Sequence, residues 1–199
     1  MQQPFEEPNA HEAEENLKMI RDLMERSTRF STFSGLSGVI AGLVSIVGCF
    51  VTQAMGKIDE RPVEFLLTWS LVILIAVGAD YLLTKRRSHR VGKQVLSRLG
   101  RQMVIAATPG LGSGALLTFY FMNHKMLENI FPVWMLCYGI AVCATGIFSQ
   151  REVTLLGCVF LIAGAFSLLL PVSGLLMMAI TFGGFHIVYA ILMSRKEGW

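Results

Sequence analysis

Glu25–Gly48 reads ERSTRFSTFSGLSGVIAGLVSIVG, and this stretch decides the fold. It starts as a charged helix and turns into an apolar, glycine-rich one without an intervening proline. Ser34, Gly38 and Gly42 recur every four residues, so they fall on one helical face. Gly35 lies beside them. Such a small-xxx-small stripe lets two membrane helices approach closely.

The rest of the chain fits the same reading. Its 199 residues are 53% hydrophobic and only 16% charged, against about 25% charge in a soluble domain. The apolar residues come in long runs separated by short polar ones, so the bilayer is the expected solvent. Six runs, at about 30–55, 64–84, 102–122, 129–149, 153–170 and 175–193, have spanning length. The expected fold is all-α: six transmembrane helices in one bundle.

Residues 1–29 form a separate cytoplasmic part. Met1–Arg29 is rich in acids and has no apolar core of its own, unlike a cleaved signal sequence. Ala13, Leu17, Ile20 and Met24 mark an amphipathic helix from His11 to Arg29. Glu14–Lys18, Asp22–Arg26 and Glu25–Arg29 support it as i,i+4 pairs. It is too charged to span, which leaves an interfacial helix or a docking surface for a cytosolic protein.

Lysine and arginine set the orientation. With the N-terminus inside, inner segments hold fourteen of the seventeen Lys and Arg residues and outer loops hold three. Both termini are then cytoplasmic by the positive-inside rule, and Trp69 and Trp134 fall near the outer interface. The most basic stretch holds Lys85, Arg86, Arg87, Arg90, Lys93, Arg98 and Arg101, with no acid among them. It fits anionic lipid headgroups or a protein partner. It is too short, and too closely tethered between two spans, to suggest nucleic-acid binding.

The glycines hint at a repeat. Thirteen residues beyond Arg29, Arg101 and Arg151 stand Gly42, Gly114 and Gly164. Gly110, Gly183 and Gly184 complete the set of expected packing positions. Three helical hairpins of common plan is one explanation, and chance among 19 glycines is the other. Counting from Arg29 puts Gly38 about 13.5 Å deep. His186, nine residues before Arg195, lies at the same level. The first span should therefore pack on the sixth or the third.

Two polar groups interrupt the spans. Asp80 lies about 7.5 Å in from Lys85, and His186 sits near the midplane. Ionisable residues inside a membrane are costly, so both are functional candidates beside a plain structural role. Pro109 with Gly110 either kinks the third span or breaks it, as transporters do at binding sites. Cys49, Cys137, Cys143 and Cys158 lie in apolar runs without metal-ligand spacing, so they read as small hydrophobes. No phosphate loop, serine nucleophile elbow or HExxH motif occurs, and no metal site is expected.

MERSTRFSTFSGLSGVIAGL, YGIAVCATGIFSQREV and FGGFHIVYAILMSR resemble a family of small bacterial six-span membrane proteins with no established activity. The resemblance covers about residues 18–199. It implies the bacterial cytoplasmic (inner) membrane and supplies no catalytic residues. Its members resemble proteins encoded beside winged-helix regulators, which implies a regulatory role. The leading expectation is a non-enzymatic regulatory or scaffold subunit that binds a partner through the N-terminal helix and the basic loop, alone or as a homo-oligomer. The first alternative is a small transporter or channel using Asp80 and His186. The second is a cofactor protein, with haem at His186.

Overall fold

The computed structural model describes residues 14–19, 35–90 and 98–197. These are helical throughout, apart from short turns, and no strand occurs among them. Residues 14–19 are a helical stretch with exposed side chains. The rest of the expected amphipathic helix, and Ser34, lie outside the described residues.

Among the described residues, six helices are long and apolar enough to cross a membrane, the pattern of a multi-pass membrane protein. They are α1 (Gly35–Met55), α2 (Pro62–Arg90), α3 (Arg98–Asn123), α4 (Ile130–Gly146), α5 (Arg151–Leu169) and α6. Helix α6 has three parts: Gly174–Met178, a π-helical segment Ala179–Phe185, and His186–Glu197.

Helix ends follow local chemistry. Gly56 ends α1 in the left-handed region, φ 75°, where glycine has no Cβ to clash. Pro62 opens α2, where its missing N–H costs nothing. Ser173 caps α6 by accepting from the Leu176 N–H at 3.3 Å.

Two helix ends fall away from their expected places, and one possible break does not occur. The second helix passes the apolar edge at residue 84 and continues to Arg90. Lysine and arginine are good helix formers whose stems can lie along apolar surface while their charges reach water. The fourth helix ends earlier, at Gly146 rather than near 149, and a short turn then leads to α5. Pro109 does not break the third span, because α3 is continuous through it. The Thr108 and Ser113 hydroxyls bond the Val104 and Pro109 carbonyls at 2.8 Å, so both polar side chains are satisfied within their own helix.

Packing is sequential and uneven. Helix α1 lies between α2 and α6, and α4 lies between α3 and α5. The first part of α6 joins the two groups by packing on α4. Helix α5 therefore lies chiefly along α4 and α6 chiefly along α1, so the third pair does not pack as the first two do. The core gathers where the α1–α2 and α3–α4 connections meet. Ile58, Phe65, Leu127, Ile130, Phe131 and Met135 are buried there. Phe65, Trp69 and Phe131 form a ring cluster with centroids 5.8–6.4 Å apart.

Asp59 ties the two connections together by accepting from the Leu127 N–H at 3.0 Å. The loop acid is thus structural rather than simply solvated. Elsewhere the helices are open. Most of α2 between residues 66 and 82 is exposed or half-buried, and only 11% of the most apolar window of α3 is buried.

Candidate functional site

Glycines set how closely the helices meet. A Cβ on Gly38 would lie 2.9 Å from Ala190 Cβ, and one on Gly42 would lie 2.7 Å from the Gly183 carbonyl. A Cβ on Gly35 would collide with Ser194, and one on Gly183 would approach Ile46 at 2.5 Å. The glycine face of α1 therefore lies against α6, not α3.

Gly110 faces the Cys137 carbonyl at 2.7 Å, and Gly114 faces Cys137 and Trp134 at 3.3–3.5 Å, which seats α3 on α4. Gly164 faces Leu136 at 2.9–3.0 Å, which seats α5 on α4. Gly184 departs from expectation: a Cβ there would meet nothing within 4 Å. Being next to Gly183, it points well round the helix from the seam.

This close packing brings polar side chains together inside the apolar layer. Ser37 on α1 donates to Asp80 Oδ1 on α2 at 2.7 Å. Ser37 is buried and Asp80 half-buried. Thr84, one turn beyond Asp80, is buried with a hydroxyl that has no hydrogen-bond partner. Among the described residues no cation pairs with Asp80. On α6, His186 Nε2 is hydrogen-bonded to the Tyr138 hydroxyl on α4 at 2.7 Å. Asp80 and Tyr189 both lie within electrostatic reach of that hydroxyl.

Asp80 and His186 thus belong to two separate hydrogen-bonded pairs, one joining α1 to α2 and the other α4 to α6, and Tyr138 joins the site as the partner of the histidine. The sequence gives little warning of this role, because a tyrosine in an apolar run looks like packing.

The histidine is held tightly. Phe182 stacks on its ring with centroids 5.8 Å apart, and Phe160 meets it edge-on at 5.4 Å. Phe160 is fully buried. The Thr181 and Phe182 carbonyls lie near the imidazole, yet neither forms a hydrogen bond of good geometry with Nδ1, which is buried and unpaired. Either Nδ1 carries a proton with no acceptor, or it offers a lone pair with no donor. Such an atom is costly unless something supplies its partner.

The π segment ends at the residue before His186. π-Bulges occur often at functional sites, and no motif in the sequence announces this one beyond the pair Gly183–Gly184. The arrangement can hold or pass a proton, or seat a small cation beside Asp80. An iron of haem at Nε2 would have to displace the Tyr138 bond. Among the described residues no three His, Cys, Asp or Glu groups are placed to hold a metal ion.

The expected headgroup contacts are reached only in part. Lys85, Arg86, Arg98 and Arg101 are exposed. Lys93, and the side chains of Arg87 and Arg90, lie outside the described residues. Compared with known proteins, the chain matches no family model, no curated protein and no solved structure.

Proposed function

We propose that the chain is a small multi-pass transporter or channel in which Ser37, Asp80, Tyr138 and His186 bind and pass a proton or another small cation. The observation that carries this reading is the presence of two hydrogen-bonded polar pairs within the apolar helices, Ser37–Asp80 and Tyr138–His186, with no cation paired to Asp80 among the described residues. A carboxylate in hydrocarbon is expensive, and Ser37 alone compensates only part of its charge. The placement of lysine and arginine favours cytoplasmic termini, and the resemblance favours a bacterial inner membrane.

The test is reconstitution in liposomes carrying a pH-sensitive dye, with a potassium diffusion potential across the membrane. Proton entry above that of protein-free liposomes is expected, falling at least tenfold in Asp80→Asn. Wild-type liposomes that match empty ones, for protons and for sodium and potassium, overturn the reading.

A second reading rests on a separate observation. Leu17 and Met19 in the helical stretch at 14–19 are 68% and 60% exposed, and α2 extends as a charged helix to Arg90. Both features suit a regulatory or scaffold subunit that meets a protein partner at the cytoplasmic face. Deleting residues 1–24 should then abolish co-purification of that partner; retention of every co-purified protein counts against it.

A further inference from the structure

Cys143 on α4 and Cys158 on α5 bring their sulfurs to 3.9 Å. All four cysteines are free thiols, so the close approach is a side-chain pair and not an existing bond. Three features make it more than two small apolar residues in contact. First, Gly157, next to Cys158, has no Cβ, and one placed there would lie 2.6 Å from Cys143 Sγ and 2.7 Å from the Cys143 N. Second, a Cβ on Gly139 would lie 3.0 Å from the Gly157 carbonyl and one on Gly146 would lie 2.9 Å from the Thr154 N, so the two backbones approach closely on both sides of the pair. Third, Cys158 is exposed and Cys143 is half-buried, so the pair opens toward the surrounding medium.

A disulfide needs its sulfurs at about 2.05 Å and its Cβ atoms about 3.5–4.5 Å apart. Closing the gap takes about 1.9 Å of sulfur movement, between helices held close by Gly139, Gly146 and Gly157. The Cys143 thiol's contact with the Thr154 carbonyl, at 3.7 Å, is long and weak and yields readily.

We propose that Cys143 and Cys158 form a reversible dithiol–disulfide site, oxidised by a neutral, lipid-soluble two-electron acceptor such as a quinone. Two S–H bonds break and one S–S bond forms. The two electrons and two protons reduce the quinone to quinol. Both products are uncharged, which suits an apolar layer where a thiolate–metal complex would carry a costly charge. The bond staples α4 to α5. Tyr138 lies on α4 and Phe160 on α5, so the staple fixes two of the side chains that hold His186.

The test uses the full chain in lipid nanodiscs. One sample is treated with ubiquinone-1 and one with diamide, another neutral two-electron oxidant. Thiols are counted after denaturation, and the intact mass is read with and without a reducing agent. Two of the four thiols should be lost, with a mass lower by two hydrogens, on a chain that stays monomeric in non-reducing gels. Dithiothreitol should restore all four.

Cys143→Ser and Cys158→Ser should each abolish the loss, whereas the double variant Cys49→Ala with Cys137→Ala should retain it. Helical circular dichroism shows that each variant is folded. Four thiols remaining with both oxidants, a disulfide-linked dimer through Cys158, a quinone adduct in place of the two-hydrogen loss, or persistence of the loss in Cys143→Ser would each overturn the proposal.

Discussion

Replacing Gly42 by alanine tests the α1–α6 seam directly. The new Cβ would stand 2.7 Å from the Gly183 carbonyl oxygen and 2.5 Å from Ile187 Cγ1. The isoleucine can rotate, but the carbonyl belongs to the backbone of α6. Comfortable carbon–oxygen contacts lie near 3.3–3.6 Å, so the helices must part by about 0.6–0.9 Å. Overpacking of this kind costs about 1–3 kcal/mol.

Alanine regains about 0.5–1 kcal/mol over glycine within a helix, which leaves a net loss of about 0–2.5 kcal/mol, centred on about 1 kcal/mol. Gly112→Ala supplies the control. Gly112 has nothing within 4 Å of its would-be Cβ, so only the helix-propensity gain applies. Unfolding by SDS titration, followed by circular dichroism, should move the two variants in opposite directions. Equal shifts of the same sign would refute the idea that close approach along Gly42 holds the first and sixth helices together.

Three further outcomes follow from single side chains. Ser37→Ala removes the hydroxyl donor to Asp80 and should cost about 1–2 kcal/mol in the same titration. Tyr138→Phe leaves His186 Nε2 without a partner and should cost about 1–3 kcal/mol; a shift of the His186 imidazole resonances in 15N NMR reads it directly. Thr118→Val removes the acceptor of the Trp134 Nε1–H bond, 2.8 Å long, and a change in tryptophan emission should report the loss of that α3–α4 contact.

The six apolar helices were legible because spanning length is written in the chain as uninterrupted hydropathy. Their ends were less so. Hydropathy marks where hydrocarbon stops, whereas a helix stops where its hydrogen bonds and caps do, so α2 outran its apolar edge to Arg90. Asp80 and His186 stood out as polar residues in apolar runs. Their partners, Ser37 and Tyr138, did not, because depth counted along each helix says nothing of how the helices face one another. Asp59 was hidden for a related reason: its partner is a backbone N–H in a distant turn, and no side-chain pattern encodes that. The Cys143–Cys158 approach likewise depends on the α4–α5 register, which glycines set without spelling out.

The π segment in α6 has a consequence for registry. One residue more than an α-helix needs turns everything beyond it by about 100°. Gly174–Met178 keeps one bearing toward α4, while Gly183, Ile187, Ala190 and Ser194 turn toward α1 and His186 toward Tyr138. Helix α6 behaves as two rods joined out of phase, and the joint serves both partners at once. Deleting a single residue between Ala179 and Phe182 would put the rods back in phase. The glycine seam and the histidine contact would then be lost together, although neither would have been mutated.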